Sequence, residues 1–559
     1  MSVRRPWYDR IVCTLAREHA AITTRGFYRT VQRATSAQTD LLLEIVRNHA
    51  LSRFGREHGF DRIRCYEDFR NQVPIRTYDQ SRAYIDAVRH GDTSALFHPA
   101  EKILMFALTS GTTAEPKYIP VTKRTLAQSR NGWNIWGLQA LIDHRGTFLR
   151  HIVQVTSPMN DHAAPCGVPC GAITGLLAST QKWLVKRYYT SPLAIAGISD
   201  PRSKYYAIMR LAIPKDVGWL VTANPSTLLL LAKTAHEHRD EMIRDIHDGT
   251  LSAALSIPEE IRRAISPRLR ADPALARRLE AIVDRTGTFY PKDYWRLGFR
   301  AHWTGGTMGL YESQLPRYFG DAPVRDIGLI ASEGRMSIPI DDTTAAGILA
   351  VASQFFEFIP ADEYGSPTAT VLRSHEVRVD HEYFLVLTNH SGLYRYDMGD
   401  RVRVTGWHGE APMIEFLSRD AHTASMTGEK LTENQVVSAM QRAFREVASP
   451  PNLFVLSPHF DEVPRYRLYL ERGAADLLGQ VADRFDRALC DVSVEYASKR
   501  QSMRLHSVEL AELPDGYLSE REKRLRRLRS RTAEQFKHQY LLPRPGMDAE
   551  LKAVKHENE

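Results

Sequence analysis

Leu108-Thr109-Ser110-Gly111-Thr112-Thr113-Ala114-Glu115-Pro116-Lys117-Tyr118-Ile119-Pro120 is a hydroxyl-rich, glycine-containing loop with one lysine, and the fold is decided by how it is read. The apolar residues 103–107 before it have the composition of a strand. Thr122 behind it is placed to cap a helix running through Trp133, Trp136 and Leu141. Strand, polar loop and helix in that order can wrap a phosphate. Gly111 lets backbone approach closely, Ser110, Thr112 and Thr113 donate hydrogen bonds, and Lys117 adds a compact charge near transferring phosphoryl oxygens. The spacing Gly-x4-Gly-Lys-Ser/Thr is absent, so this is not a P-loop. Standing alone, such a stretch is more often a plain loop.

Three companions follow. In Ile330-Ala331-Ser332-Glu333-Gly334 a carboxylate ends a short apolar strand, expected over 326–330, and Glu333 can hold Mg²⁺ beside a triphosphate. A lone Glu at a strand end is otherwise just solvated. In Leu393-Tyr394-Arg395-Tyr396-Asp397-Met398-Gly399-Asp400 the ionised Asp400 can accept from both hydroxyls of a ribose, although spacing alone favours a hairpin Gly-Asp turn. Third, Arg419 and Lys430 flank a hinge expected at Asp420 and can reach an anionic ligand between domains. Their plain reading is an Arg at a strand end and a capping box at Thr432-Glu433-Asn434-Gln435.

Around these motifs, residues 36–91 and 256–285 have helical spacing, while 383–388, 401–405 and 413–417 alternate with period two, as antiparallel strands or a small barrel would. Beyond 419 the pattern predicts a helix over 433–447, strands near 453–456 and 466–470, a helix over 476–489 and a strand near 505–510. The expected division is therefore 1–419 and 420–559, the second a small α+β domain.

The four motifs stand in the order seen in adenylate-forming enzymes such as luciferase and the acyl-CoA ligases. Within that superfamily the chain most resembles the acyl acid amido synthetases of the auxin-responsive Gretchen Hagen family. The likeness extends to Phe54-Gly55-Arg56-Glu57-His58-Gly59-Phe60, Phe69-Arg70-Asn71-Gln72-Val73-Pro74-Ile75, Trp303-Thr304-Gly305-Gly306-Thr307-Met308-Gly309-Leu310-Tyr311 and Val494-Glu495-Tyr496-Ala497-Ser498-Lys499-Arg500, covering about 38 to about 543. It implies an α/β fold: a large amino-terminal adenylation domain with two β-sheets and a small β-barrel, and a small mobile α+β carboxy-terminal domain. It further implies ATP, Mg²⁺ and an acyl-AMP intermediate. Ser110, Gly111, Thr112, Thr113, Ser332, Glu333, Asp400 and Arg419 would then hold the nucleotide, with the metal on Glu333. Lys117, Lys430 and Lys537 would serve catalysis, while Trp133, Trp136, Thr307, Met308 and Tyr311 would line the acyl pocket.

Two departures stand out. The family's Tyr-x-Ser-Ser-Glu reads Leu329-Ile330-Ala331-Ser332-Glu333, removing the ring that would pack on adenine, and Asp397 replaces an arginine in the ribose turn. The helix after the loop also offers Trp133 and Trp136 instead of an arginine in register for a substrate carboxylate.

Composition bounds the rest. The chain has 559 residues, 25% charged and 43% hydrophobic, which excludes collagenous, coiled-coil and wholly disordered classes. A net charge of +8 favours anionic ligands. Five cysteines are few and odd in number, as in a reducing cytoplasm without a disulfide framework. No signal peptide is visible, and the apolar stretch 217–234 is broken by Asn224-Pro225-Ser226, short of a membrane span. His162, Cys166 and Cys170 lack zinc spacing. The basic run 521–531 has no aromatic interleaving and suits a solvated helix better than nucleic acid. The leading expectation is a cytoplasmic, monomeric, ATP-dependent ligase joining a small carboxylic acid to an amino acid or related amine. An acyl-CoA ligase, another adenylating enzyme with a different acceptor, or a catalytically weak nucleotide-binding member would share these motifs.

Overall fold

A computed structural model describes residues 7–109, 116–305, 308, 311, 312, 314–419, 423–444, 451, 453–472, 478–528 and 539–551. The chain separates into two units, one within 1–109 and 117–417 and the other within 418–559.

In the first unit the strand Ile103–Thr109 pairs antiparallel with Lys117–Thr122, so Thr109 faces Lys117 across the register. It also pairs in parallel with Pro169–Gly171. Met105, Phe106 and Ala107 are all buried, as in a strand covered on both faces. Thr122 then stops the returning strand and starts the helix Lys123–Asp143, its hydroxyl accepting from the backbone N–H of Thr125 at 3.2 Å.

A second sheet is wholly parallel, in the order His151–Gln154, Val217–Val221, Phe299–His302, Val324–Asp326. All five residues of Val217–Val221 are buried. The apolar stretch 217–234 is thus a central strand followed by the helix Pro225–Glu237, capped by Asn224. Among the described residues no helix is long and apolar enough to cross a membrane.

The strand expected over 326–330 is divided. It stops at Asp326, whose carboxylate accepts from the Gly328 N–H at 2.6 Å, and the chain resumes as the hairpin Ile330–Ala331 with Gly334–Arg335. This local bond bends the backbone before the acidic turn, where apolar composition by itself predicts continuation.

The period-two segments join a seven-stranded antiparallel sheet whose centre is Ala411–Arg419, Tyr396–His408 and Glu382–Thr388. The hairpin turn expected at Gly399-Asp400 is absent. Residues 396–400 lie inside one long strand, and its register against Glu382–Thr388 slips between Phe384, which faces Arg401, and Val386, which faces Asp397. Gly399 takes φ +69°, so the glycine serves a bulge that redirects the strand. The amino-terminal helix Ala34–His49 is tied to this layer by Gln38. Its buried amide donates to the carbonyls of Val351 and Gln354 at 2.6 and 2.8 Å and accepts from the Phe356 N–H at 2.9 Å.

The second unit opens with a ribbon of Thr423–Ala424 and Leu431–Thr432, then the helix Glu433–Ala443 with the expected capping box at Thr432 and Gln435. Its three-stranded sheet runs Val455–His459, Arg465–Glu471, Glu509–Leu513, the first pair antiparallel and the second parallel. Val436, Met440, Leu456, Tyr466, Leu468, Phe485 and Leu489 form its own apolar core. The basic helix Tyr517–Leu528 lies at the end of this unit.

Candidate active site

Register brings the first catalytic candidate to the acidic turn. Lys117, opening its strand, donates to the Tyr396 hydroxyl at 3.3 Å, and that hydroxyl donates to Oε1 of Glu333 at 3.4 Å. The tyrosine thus stands between a cation and a carboxylate. Ser332 ties the turn to the neighbouring strand by donating to the Leu108 carbonyl at 3.0 Å.

Glu333 is only 2% exposed, and its Oε2 has no hydrogen-bond partner among the described residues. A buried carboxylate oxygen left unmatched is costly, and a hard cation with oxygen ligands is the partner that suits it. No group of three or more His, Cys, Asp or Glu that could hold a metal occurs among the described residues. Mg²⁺ fits such a setting, because it is commonly held by one or two carboxylates plus phosphate oxygens and water.

Two amides hold the turn from behind. Asn389 Nδ2 donates to the Glu333 carbonyl at 2.8 Å and to Gln354 Oε1 at 3.2 Å, and Gln354 Nε2 donates to the Arg335 carbonyl at 3.0 Å. Both amides are buried, so these bonds fix the backbone on either side of Gly334.

Tyr396 is positioned by the residue before it. Arg395 adopts φ +44°, a left-handed conformation unusual for a non-glycine residue. Its buried guanidinium grips Glu357 through Nε and Nη2 at 2.8–3.1 Å, while Nη1 donates to the Val73 carbonyl at 2.9 Å. Main-chain bonds from the Arg76 N–H to the Arg395 carbonyl and from the Asp397 N–H to the Arg76 carbonyl, both 2.9 Å, hold the other side. Asp397 is engaged locally, accepting from Tyr364 Oη and the Gly399 N–H at 2.9 Å each. Burial raises its pKa, against those hydrogen bonds. Asp400 lies just past the bulge and is 4% exposed.

Residues 23–324, more than half of the chain, match the GH3 family N-terminal domain, 347–419 the central domain and 434–545 the C-terminal domain. The chain belongs to the GH3 family. Among its relatives, a jasmonoyl-L-amino acid synthetase of Oryza sativa subsp. japonica is 24% identical, over 89% of this chain and 90% of that one. An indole-3-acetic acid-amido synthetase of Arabidopsis thaliana is also 24% identical, over 80% and 85%. Among solved structures, an acyl acid amido synthetase in complex with 2,4-DB superposes with a TM-score of 0.67 at 20% identity, covering 95% of both chains. A 2-hydroxyisobutyryl-CoA ligase in complex with 2-HIB-AMP and CoA reaches 0.53 at 12%, covering 94% and 92%. The fold is that of these adenylate-forming ligases, with a large amino-terminal and a smaller carboxy-terminal domain.

Set on this GH3 chain, the expected residues other than Lys430 divide into three groups. Lys117 and Glu333 meet at Tyr396, Ser332 precedes Glu333 in its turn and bonds to Leu108, and Asp400 lies four residues beyond Tyr396 on the same strand. Trp136 is fully buried and its indole donates to the Asp326 carbonyl at 2.8 Å, while Trp133, half-buried, meets it edge-on at 5.4 Å between ring centres. Met308 and Tyr311 are buried too. Ser110, Gly111, Thr112, Thr113, Thr307, Asp420 and Lys537 lie outside the described residues, as does the side chain of Arg419.

Lys430 belongs to the second unit of the GH3 chain. It has φ +47° beside Gly428 at φ +96°, in a loop fastened by Glu429. That buried carboxylate accepts from the Met426 and Thr427 N–H groups at 2.6 and 2.8 Å and from Tyr466 Oη at 2.6 Å. Sequence reading missed Tyr396 as a bridge and Asn389, Gln354 and Glu429 as supports. Buried amides and single acids carry no periodic signal.

Proposed function

We propose that this GH3 protein is an acyl acid amido synthetase, which activates a small carboxylic acid with ATP as an acyl-AMP and passes the acyl group to an amino acid or related amine. The observation that supports this most directly is the Lys117–Tyr396–Glu333 chain, which sets a cation and a buried carboxylate with one unpartnered oxygen on one tyrosine hydroxyl. Glu333 holds Mg²⁺, which when bound draws charge from the phosphate oxygens. Lys117 faces the α-phosphate as the acid's carboxylate attacks it and pyrophosphate leaves. Asp400 accepts from the ribose hydroxyls. Arg419 and the loop 110–113 complete the nucleotide site. The amine then attacks the acyl carbonyl and AMP departs, with Lys430 and Lys537 each serving one half-reaction as 420–559 turns against 1–419. The protein acts as a cytoplasmic monomer. Its described cysteines, Cys65, Cys166, Cys170 and Cys490, are free thiols.

The test is pyrophosphate release from ATP and Mg²⁺ with a panel of aromatic and aliphatic acids, given pooled amino acids, coenzyme A, or neither, with products weighed by mass spectrometry. An amide is the expected product, and a thioester would replace this reading with that of a CoA ligase. E333A and D400A are expected to lower acid-dependent release by at least a hundredfold. Unchanged release in both would remove the site assignment.

A further inference from the structure

Arg335 is 3% exposed and has no carboxylate within ion-pair distance among the described residues. Buried guanidinium groups normally have such a partner. Nη1 is satisfied by the carbonyls of Ile327 and Ser337 at 2.9 and 3.2 Å, but Nε and Nη2 have no acceptor. The nearest candidate, Asp326, is spent on the N–H of Gly328 and on the N–H and hydroxyl of Thr304.

The surroundings are shaped for this side chain. Its Cζ lies 4.5 Å from the centre of the Trp133 ring. A Cβ at position 132 would come within 2.6 Å of Arg335 Cδ, so Gly132 in the middle of a helix makes the room. A small pocket of about 20 Å³ is bordered by Arg335, Glu333, Ser332, Gln128, Ser129 and Asn389, with Val121 and Ile173 as apolar walls. That volume suits one small polar group.

We infer that Arg335 binds the carboxylate of the acyl acid. The inference rests on the amido-synthetase reading above and gives it a residue the helix Lys123–Asp143 does not supply. Nε–H and one Nη2–H lie on the same edge of a guanidinium and match the two oxygens of a carboxylate in parallel. Nη1, held by two backbone carbonyls, fixes the plane of that fork. The bound carboxylate would then lie in the pocket that Glu333 also borders.

R335Q and R335K are compared with wild type using the acid that gives the fastest pyrophosphate release, with KM measured separately for acid and for ATP. The expected result is a KM for the acid at least thirtyfold higher in R335Q, a smaller rise in R335K, which keeps charge but loses the fork, and a KM for ATP within threefold of wild type. The primary amide of the same acid should inhibit wild type far more weakly than the acid's own affinity predicts, and R335Q should lose that discrimination. An unchanged acid KM would overturn the assignment, and so would a rise confined to ATP, which would make Arg335 a phosphate ligand. Thermal unfolding with and without ATP identifies a misfolded R335Q, and R335K then carries the same comparison. Wild type inactive with every acid sinks the amido-synthetase reading and this assignment together. Active wild type with unaffected variants sinks this assignment alone.

Discussion

A single hydroxyl, that of Tyr396, is shared by the lysine and the glutamate of the proposed site, at 3.3 and 3.4 Å. These are long contacts, and a hydrogen bond of this sort contributes about 1 kcal/mol. Tyr396→Phe should therefore lower kcat/KM by roughly fivefold, through looser placement of Lys117 and Glu333. Steady-state kinetics beside thermal unfolding check this, and an equal loss in stability would mean that the ring's packing dominates. At this scale the sequence showed the residues with distinctive chemistry. Lys117, Glu333 and Asp400 stood out as candidates only through the order of the four motifs and the family resemblance, since each alone has an ordinary structural reading. Asn389, Gln354 and Arg335 did not, since their importance comes from what lies opposite them across 56, 19 and 8 residues of intervening chain.

Elements were legible where their signals are local. Thr122 and Thr432 cap helices as their own spacing predicts, and the antiparallel runs after 382 stand where alternation puts them. Gly399-Asp400 was misread because a left-handed glycine serves a turn and a bulge alike, and only the partner strand distinguishes them. One pair of elements carries a pH prediction. Where the helix Ala34–His49 meets residues 389–394, His49 and His390 pack edge to face at 5.7 Å, both buried. Tyr394 Oη donates to the Leu96 carbonyl at 2.6 Å, so it accepts from His49 Nδ1 at the same distance. Glu44 approaches His390 only to 4.0 Å and is engaged by Arg124 at 2.8 Å. Burial first, then Arg124 and His98 for His49 and the facing His49 and Arg124 for His390, lower both pKa values to about 3. In the unfolded chain each titrates near 6.5, so this stability is complete above about pH 6.5 and is lost as pH falls toward 3. The slope from the pair approaches about 3 kcal/mol per pH unit below pH 6.5. Urea unfolding between pH 7 and 5 should show it, and His390→Gln should remove about half.

At the scale of the whole molecule, two units with separate cores fit a reaction in two halves. Lys430→Ala should slow one half more than tenfold and leave the other nearly unchanged. Acid-dependent exchange of labelled pyrophosphate into ATP reads the first half, and amide formation from preformed acyl-AMP reads the second. Equal slowing of both, or of neither, would remove Lys430 from its role. A smaller carboxy-terminal domain was legible in the mixed helix and strand pattern there, whereas the strand order was not, being set by pairings such as Val217–Val221 with Phe299–His302. The same long reach governs how the protein is made. The amide of Gln38 is satisfied only by residues 351, 354 and 356, so the amino-terminal helix must wait for more than 300 further residues to be synthesised. At 5–20 residues per second that is on the order of 15–60 s, during which an apolar helix face is exposed on the ribosome. Until residue 356 has been synthesised, the Gln38 amide lacks the partners that satisfy it in the folded protein.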